Sequence, residues 1–508
     1  MKLLRKLSPA WLVAILVACG LLVSTTPASA FGPSVLFAPS GDCNRPYCTS
    51  YAKSAQTNTG RILVTFEDNN QPAAGQTFPI FSSTNNGQSW SKIASVADQS
   101  PRRWGSNWAS PFLYVLPQAI GNMPAGTILL AGIVTPPDRS ATALELYRSS
   151  DDGFTWSWVS EIAVGGGEWG SANPTPIWEP YLLVANNKLI VYYSDERDKA
   201  NHDQKIVHQA STDAVNWGPV VEDVALADRA MRPGMPVVTR MANGQYMMVY
   251  EMVGQANTPN NFKISSNPES WNAGNGGTTI DHGGSPYVIT LPNGRLAYNS
   301  YGSTDVRINT NNGAGAWTPV RTVMPRGYSR QLQYVRGTGR VLIVSVEGFW
   351  VNARNSVYVG DVDLGNSAGP YYKLINRASG KALDVYQANL QDGAQVVQWA
   401  DNGGHNQHWH VTDVGGGYRT LFNRNSGRVL AIPSASTSNG TDAIQWVENY
   451  GADQQWQLVP VGSYYKIVNR NSGKVLAVWQ ASTADGARVV QYTDTGALDQ
   501  QWQLVQVS

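Results

Sequence analysis

The chain has 508 residues, 37 Lys and Arg against 36 Asp and Glu, a net charge of +1 and only 14% charged residues. A balance this close to neutral, without a basic stripe, argues against nucleic acid or an anionic membrane surface as partner. Its 49 Gly, 18 Trp and 23 Tyr instead describe many tight turns and ring-packed strands.

In chain order, Lys2, Arg5 and Lys6 precede an apolar run from Ala10 to Val23 and the small-residue stretch Pro27-Ala28-Ser29-Ala30. This is the pattern of a secretory signal peptide over residues 1–30, so a secreted, extracellular chain beginning at Phe31 is expected. A lipoprotein-like box at Leu16-Val17-Ala18-Cys19 competes with it, but the apolar run continues past Cys19. No later segment has the apolar length to span a bilayer. Cys43 and Cys48 remain in the mature chain. In an oxidising compartment a disulfide across this short loop is expected, acting locally. Without a neighbouring His the pair makes a poor zinc site, and neither metal nor cofactor is expected.

Short β-rich runs follow, each closed by a turn: Arg61–Phe66, Lys188–Tyr193, Gln245–Tyr250 and Arg340–Ser345. An internal repeat organises them. Ser149-Ser-Asp-Asp-Gly-Phe-Thr-Trp156 fits S-x-D-x-G-x-x-W, and Ser83-Thr-Asn-Asn-Gly-Gln-Ser-Trp90 fits it with Asn for Asp. Weaker copies run from Ser211 to Trp217, Ser265 to Trp271 and Asn309 to Trp317. Asp or Asn with Gly makes a tight turn and the Trp plugs the hairpin, so the repeat is structural. It resembles the Asp box of sialidase-like propellers. Five boxes imply five blades. Residues 328–363 supply strands for a sixth, closed by an N-terminal strand near Ser34–Phe37, so the expected domain is a six-bladed β-propeller over 31–365.

Residues 366–370 read as a linker. A threefold repeat follows, opening at Leu374-Ile-Asn-Arg-Ala-Ser-Gly380, Leu421-Phe-Asn-Arg-Asn-Ser-Gly427 and Ile467-Val-Asn-Arg-Asn-Ser-Gly473. The units close on Gln407-His-Trp409, Gln455-Trp456 and Gln501-Trp502. This resembles a ricin B-type β-trefoil, a family 13 carbohydrate-binding module, over 371–508. The fold class is therefore all-β: a six-bladed propeller followed by a trefoil. The resemblance implies sugar pockets built from an early Asp, an aromatic platform and a late Asn. The first repeat supplies Asp384, Trp399 and Asn406. The second has Ala431 and Asp453, and the third Ala477, Tyr492 and Asp499, so one dominant site in the first repeat is expected.

Propeller chemistry gathers where inner strands converge on the axis. Glu179, in Pro176-Ile-Trp-Glu-Pro-Tyr181, stands at a strand mouth beside an indole, and Glu251 ends the apolar strand Gln245–Tyr250. Either is a functional acid or half of a salt bridge. Glu67, Asp68, Asp195, Glu196 and Glu347 also end strands, so position alone does not single out a pair. The segments Trp178-Glu-Pro-Tyr181 and Arg232-Pro-Gly-Met-Pro236 with Tyr246-Met-Met-Val-Tyr-Glu251 resemble glycoside hydrolase family 93, the exo-1,5-α-L-arabinanases. The resemblance implies a retaining enzyme that releases arabinobiose from the non-reducing end of linear arabinan, with Glu179 and Glu251 as its catalytic glutamates. Plant cell-wall arabinan and a monomeric state are the corresponding expectations.

Glu179 is expected as nucleophile and Glu251 as acid/base, with the reverse order open. Trp178 is a furanose wall or blade packing. Arg232 holds sugar hydroxyls or a catalytic carboxylate. Tyr328 falls, by analogy, where sialidases place an active-site tyrosine. His202 and His282 read as loop or packing residues. Two other readings stand beside this one. A sialidase lacks its Arg-Ile-Pro motif here, and a non-catalytic propeller-trefoil lectin would not require Glu179 and Glu251.

Overall fold

The computed structural model describes residues 31–364 and 371–507, except residues 73, 170, 172, 173, 337, 349–353, 447 and 450. The expected signal peptide and linker lie outside the described residues. Six four-stranded antiparallel sheets occupy residues 49–96, 106–165, 177–224, 232–282 and 287–320, and finally 331–362 together with Ser34–Phe37. We number them blades 1 to 6. The N-terminal strand closes blade 6 against Val357–Val362, with Ser34 opposite Val359, so the ring is sealed by its two ends. Such closure ties the last blade to the start of the described chain.

The Asp boxes hold the outer hairpins as their residue types require. In blade 2, Asp151 accepts hydrogen bonds from the Thr155 backbone N–H (2.9 Å), the Thr155 hydroxyl (2.6 Å) and Ser149 (2.8 Å), while Trp156 donates to the Gly153 carbonyl (3.0 Å). Blade 1 repeats this with Asn85 and Trp90.

Six inner strands surround the axis: Thr49–Gln56, Ser106–Val115, Ile177–Ala185, Arg232–Arg240, Tyr287–Thr290 and Gln331–Val335. At its front end each blade carries one non-glycine residue in the left-handed region. These are Tyr51 (φ 49°), Ser110 (51°), Glu179 (59°), Met235 (54°), Ser285 (54°) and Ser329 (57°). In blades 1 to 4 the pairing register slips there, as at a β-bulge, for example between Trp178 and Tyr181. Four of the six precede proline: Pro111, Pro180, Pro236 and Pro286. A proline has no N–H to leave unpaired where the ladder is interrupted. A bulge re-aims its side chain; here four of them, with Ser285 and Ser329 just before the inner strands of blades 5 and 6, ring the front of the axis.

The trefoil, from Tyr371–Asn376 to Trp502–Val507, repeats one solution three times. Trp409, Trp456 and Trp502 are fully buried, and each donates its indole N–H to a strand carbonyl at 3.0 Å, on Leu383, Leu430 and Leu476. The domain docks on the rear of the propeller, at the turns after the inner strands. Asn58 donates to Asp392 (2.7 Å), Arg428 donates to the Asn58 carbonyl (2.9 Å) and to Asp392 (2.6 Å), and Thr412 donates to the Pro292 carbonyl (2.5 Å).

Candidate active site

Glu179 sits at the blade 3 bulge, so the slip that strains its backbone also points its carboxyl into the axial cleft. Three donors converge on it. Tyr51 Oη donates to Oε1 at 2.8 Å, and Ser194 Oγ (2.8 Å) and the Met235 backbone N–H (2.9 Å) donate to Oε2. Burial pushes its pKa up, while these donors and the Arg232 charge pull it down. Burial outweighs them, so the net shift is upward, and the three donors limit it by favouring the charged form.

Glu251 lies near the end of Tyr246–Val253 in blade 4, directly opposite Gly234 on the neighbouring inner strand. A side chain at Gly234 would press on the cleft, because its Cβ would stand 3.3 Å from Glu179 Oε2. Glu251 is buried and accepts one hydrogen bond, from the Ser285 backbone N–H at 2.7 Å. Burial, then the negative charge of Glu179, push its pKa to about 8. Burial raises both carboxyls, but three donors oppose the rise at Glu179 and a single one opposes it at Glu251, an asymmetry that suits acid/base chemistry with a nucleophile.

Tyr328 joins them. Its ring meets that of Tyr51 edge-on at 5.6 Å, and its phenol is raised by burial and by both glutamates. Arg232 stands close enough for its charge to act on both glutamates. Its guanidinium donates to Glu196 (2.5 Å) and Gln204 (2.9 Å), and it reaches Glu179 and Glu251 only through its field. Trp178 is half-buried against the main core and leaves its indole N–H without a partner among the described residues.

The competing acids separate by their partners. Glu67 pairs with Arg45 (3.8 Å) and Tyr47, Asp195 with Arg197 (2.8 Å), and Glu196 with Lys199 and Arg232. Asp68 accepts from Gln71 (3.0 Å), and Glu347 lies exposed beside Tyr358. Among the described residues, Glu179 and Glu251 have no cation within ion-pair distance. Tyr51 and Ser194, which shape the pair, escape sequence reasoning. The recurring X-Pro at blade spacing is the signal that marks the bulges.

A larger cavity of about 750 Å³ lies at the rear, between propeller and trefoil, but Glu448 is the one carboxylate lining it. A single acid cannot run two-carboxylate chemistry. Asp198, His202 and Glu222 lie close enough to share an ion, yet Lys205 already occupies the group, at 3.4 Å from Asp198 and 2.7 Å from Glu222. Cys43 and Cys48 are joined, their Cα atoms 5.2 Å apart.

In the first trefoil repeat Asp384 accepts from Asn406 (3.0 Å) and Gln407 (2.9 Å), and Trp399 lies 6.1 Å from Tyr386, ring to ring. The three expected residues therefore share one corner of the trefoil. Burial raises Asp384 to about 6.

Residues 358–446 and 452–508 match the ricin-type β-trefoil lectin domain-like family. Comparison with curated protein sequences finds no match. Among solved structures, the GH93 α-L-arabinofuranosidase of Fusarium graminearum with arabinobiose is 34% identical, with a TM-score of 0.62, over 66% of this chain and 98% of that one. The Penicillium chrysogenum α-L-arabinanase complexed with arabinobiose is 37% identical, with a TM-score of 0.62, over 66% of this chain and 99% of that one. With this likeness across nearly the whole of both relatives, and two glutamates facing one cleft without a paired cation among the described residues, the chain belongs to glycoside hydrolase family 93 and carries a ricin-type β-trefoil domain at its C-terminal end.

Proposed function

We propose that this glycoside hydrolase is secreted and monomeric and releases arabinobiose from the non-reducing end of α-1,5-L-arabinan, with retention of configuration. The observation that carries the reading is the unequal setting of the two carboxyls, three donors on Glu179 against one on Glu251. Glu179, ionised under three donors, attacks the anomeric carbon. Glu251, protonated at neutral pH, gives its proton to the departing glycosidic oxygen. In the glycosyl-enzyme Glu179 is an uncharged ester, so the charge that raised Glu251 is gone. Glu251, now a carboxylate, takes a proton from water as that water displaces the ester. Tyr51, which donates to Glu179, meets Tyr328 edge-on beside the pair. The two relatives bound to arabinobiose support the disaccharide as product. The first trefoil repeat, through Asp384, Trp399 and Asn406, holds the enzyme on plant cell-wall polysaccharide.

The test is digestion of linear arabinan, followed by chromatography and by NMR of the first-formed anomer. Arabinobiose as the sole early product, appearing as the α anomer, is expected. A ladder of longer oligosaccharides would overturn the exo mode, and the β anomer would overturn retention.

A further inference from the structure

Behind Glu179 the axis narrows to a cavity of about 30 Å³ whose walls include Tyr51, Lys53, Glu179, Tyr287 and Ser329. Lys53 supplies its one cation and Glu179 its one anion. The Lys53 ammonium is buried, at 8% exposure, and donates to the carbonyl (3.1 Å) and hydroxyl of Ser329, itself one of the six left-handed residues. The rings of Tyr51 and Tyr287 lie 5.8 and 5.9 Å from it. Among the described residues no carboxylate comes within ion-pair distance of it. A buried, unpaired ammonium is costly, and a methionine would fill the same space without that cost. Retaining a lysine there calls for a compensating role.

Resting on the proposed roles of the two glutamates, we propose that Lys53 is a positioning residue that acts through Glu179, as the positive charge, anchored on Ser329, that matches the single negative charge shared by Glu179 and Glu251. That shared charge stays at minus one through the cycle. It rests on Glu179 in the free enzyme and on Glu251 in the glycosyl-enzyme. One cation on the axis therefore balances both states. Burial lowers Lys53 to about 7 and the Glu179 charge opposes that fall. By reciprocity, a protonated Lys53 favours ionised Glu179. The groups facing the ammonium are Glu179 from blade 3, Tyr51 from its own strand, Tyr287 from blade 5 and Ser329 from blade 6.

The experiment compares pH profiles of kcat/KM for wild type, Lys53→Met and Lys53→Arg. Removing the charge should move the acidic limb, which reports Glu179 ionisation, upward by about one pH unit. At the acid end of the profile kcat should fall about tenfold while KM stays nearly constant. Arginine should restore the limb. Unmoved limbs in Lys53→Met would overturn the proposal, as would equal losses in both variants. Should Lys53→Met fail to fold, Ser329→Ala weakens the same anchor: an acidic limb shifted upward supports the role, and an unshifted one overturns it. Infrared titration of the carboxyl band that disappears in Glu179→Gln, followed in Glu251→Gln with and without Lys53→Met, needs no turnover. An upward-shifted titration supports the role of Lys53 even if arabinan is not the substrate, and an unshifted one removes it even if arabinan is.

Discussion

The propeller and the trefoil both repeat a unit, but they use repetition in opposite ways. In the propeller the backbone device recurs six times, as a left-handed residue at the front of each blade, while the side chains on it differ: Tyr51, Ser110, Glu179, Met235, Ser285 and Ser329. The chemistry is written once, by placing a glutamate in blade 3 and a second acid, Glu251, opposite Gly234 in blade 4. In the trefoil the scaffold bonds recur almost atom for atom, the three buried tryptophans among them, and the expected binding set survives in one repeat. A converging ring needs different residues at equivalent positions. A trefoil sends its three pockets outward, so each can be kept or lost separately.

The sharpest way to break this contrast is to remove the non-equivalent acids. Glu179→Gln and Glu251→Gln should each lower kcat on arabinan by about a thousandfold or more while leaving circular dichroism unchanged. Full activity in either would remove that residue from the mechanism. The cost of the device is next. Glu251 is raised in the fold to about 8 from an ordinary 4.5, so the folded state binds its proton more tightly. The stability this contributes is complete below about pH 4.5 and is lost as pH rises through about 8, falling by at most about 1.4 kcal/mol for each pH unit in between. Glu251→Gln should therefore melt above wild type at pH 8.5 and level with it at pH 4. An equal gap at both values would show that Glu251 is not stored protonated.

The trefoil side of the contrast is tested by Asp384→Ala, which should reduce retention on insoluble arabinan about tenfold, the range of a lost charged hydrogen bond. Hydrolysis of short soluble substrates should stay within about twofold. Undiminished retention would shift the binding to the second or third repeat, where Asp453 and Asp499 occupy the place of Asn406. The smallest effect belongs to the Asp box. Asp151→Ala loses a turn network worth about 1 kcal/mol. It should lower the melting temperature slightly and leave kcat unchanged. Lost activity with normal melting would contradict a purely structural box.

Much of this was legible in the chain. The Asp boxes and the three Gln-Trp endings carry their geometry in local sequence, and the closing strand near Ser34–Phe37 follows from counting blades. The pair proposed as catalytic could be singled out in the sequence only through resemblance. What separates Glu179 and Glu251 from Glu67, Asp195 and Glu196 is the absence of a cation; Arg197 and Lys199 stand within three residues of their acids, but Arg45 and Arg232 arrive from other segments, and that no cation reaches Glu179 or Glu251 is visible only in the fold. Tyr51 and Lys53 were hidden for a related reason. Their strand is buried along almost its whole length, which erases the alternation that would mark one face. A register slip between Ser50 and Lys53 then changes which residues meet the axis.

The docking of the trefoil on the rear face has a consequence for how the enzyme works on a solid. From Glu179 to the turn at Asn186 the inner strand runs roughly 20 Å, at about 3.3 Å per residue. The trefoil lies beyond that turn, so a disaccharide or short oligosaccharide cannot touch both sites. Attachment therefore adds nothing to the intrinsic affinity of the cleft for a free chain end. The proposed attachment acts through effective concentration, raising the number of ends within reach of a tethered enzyme. A hydrolase built this way gains on bulk polysaccharide and performs like its isolated propeller on small soluble sugars.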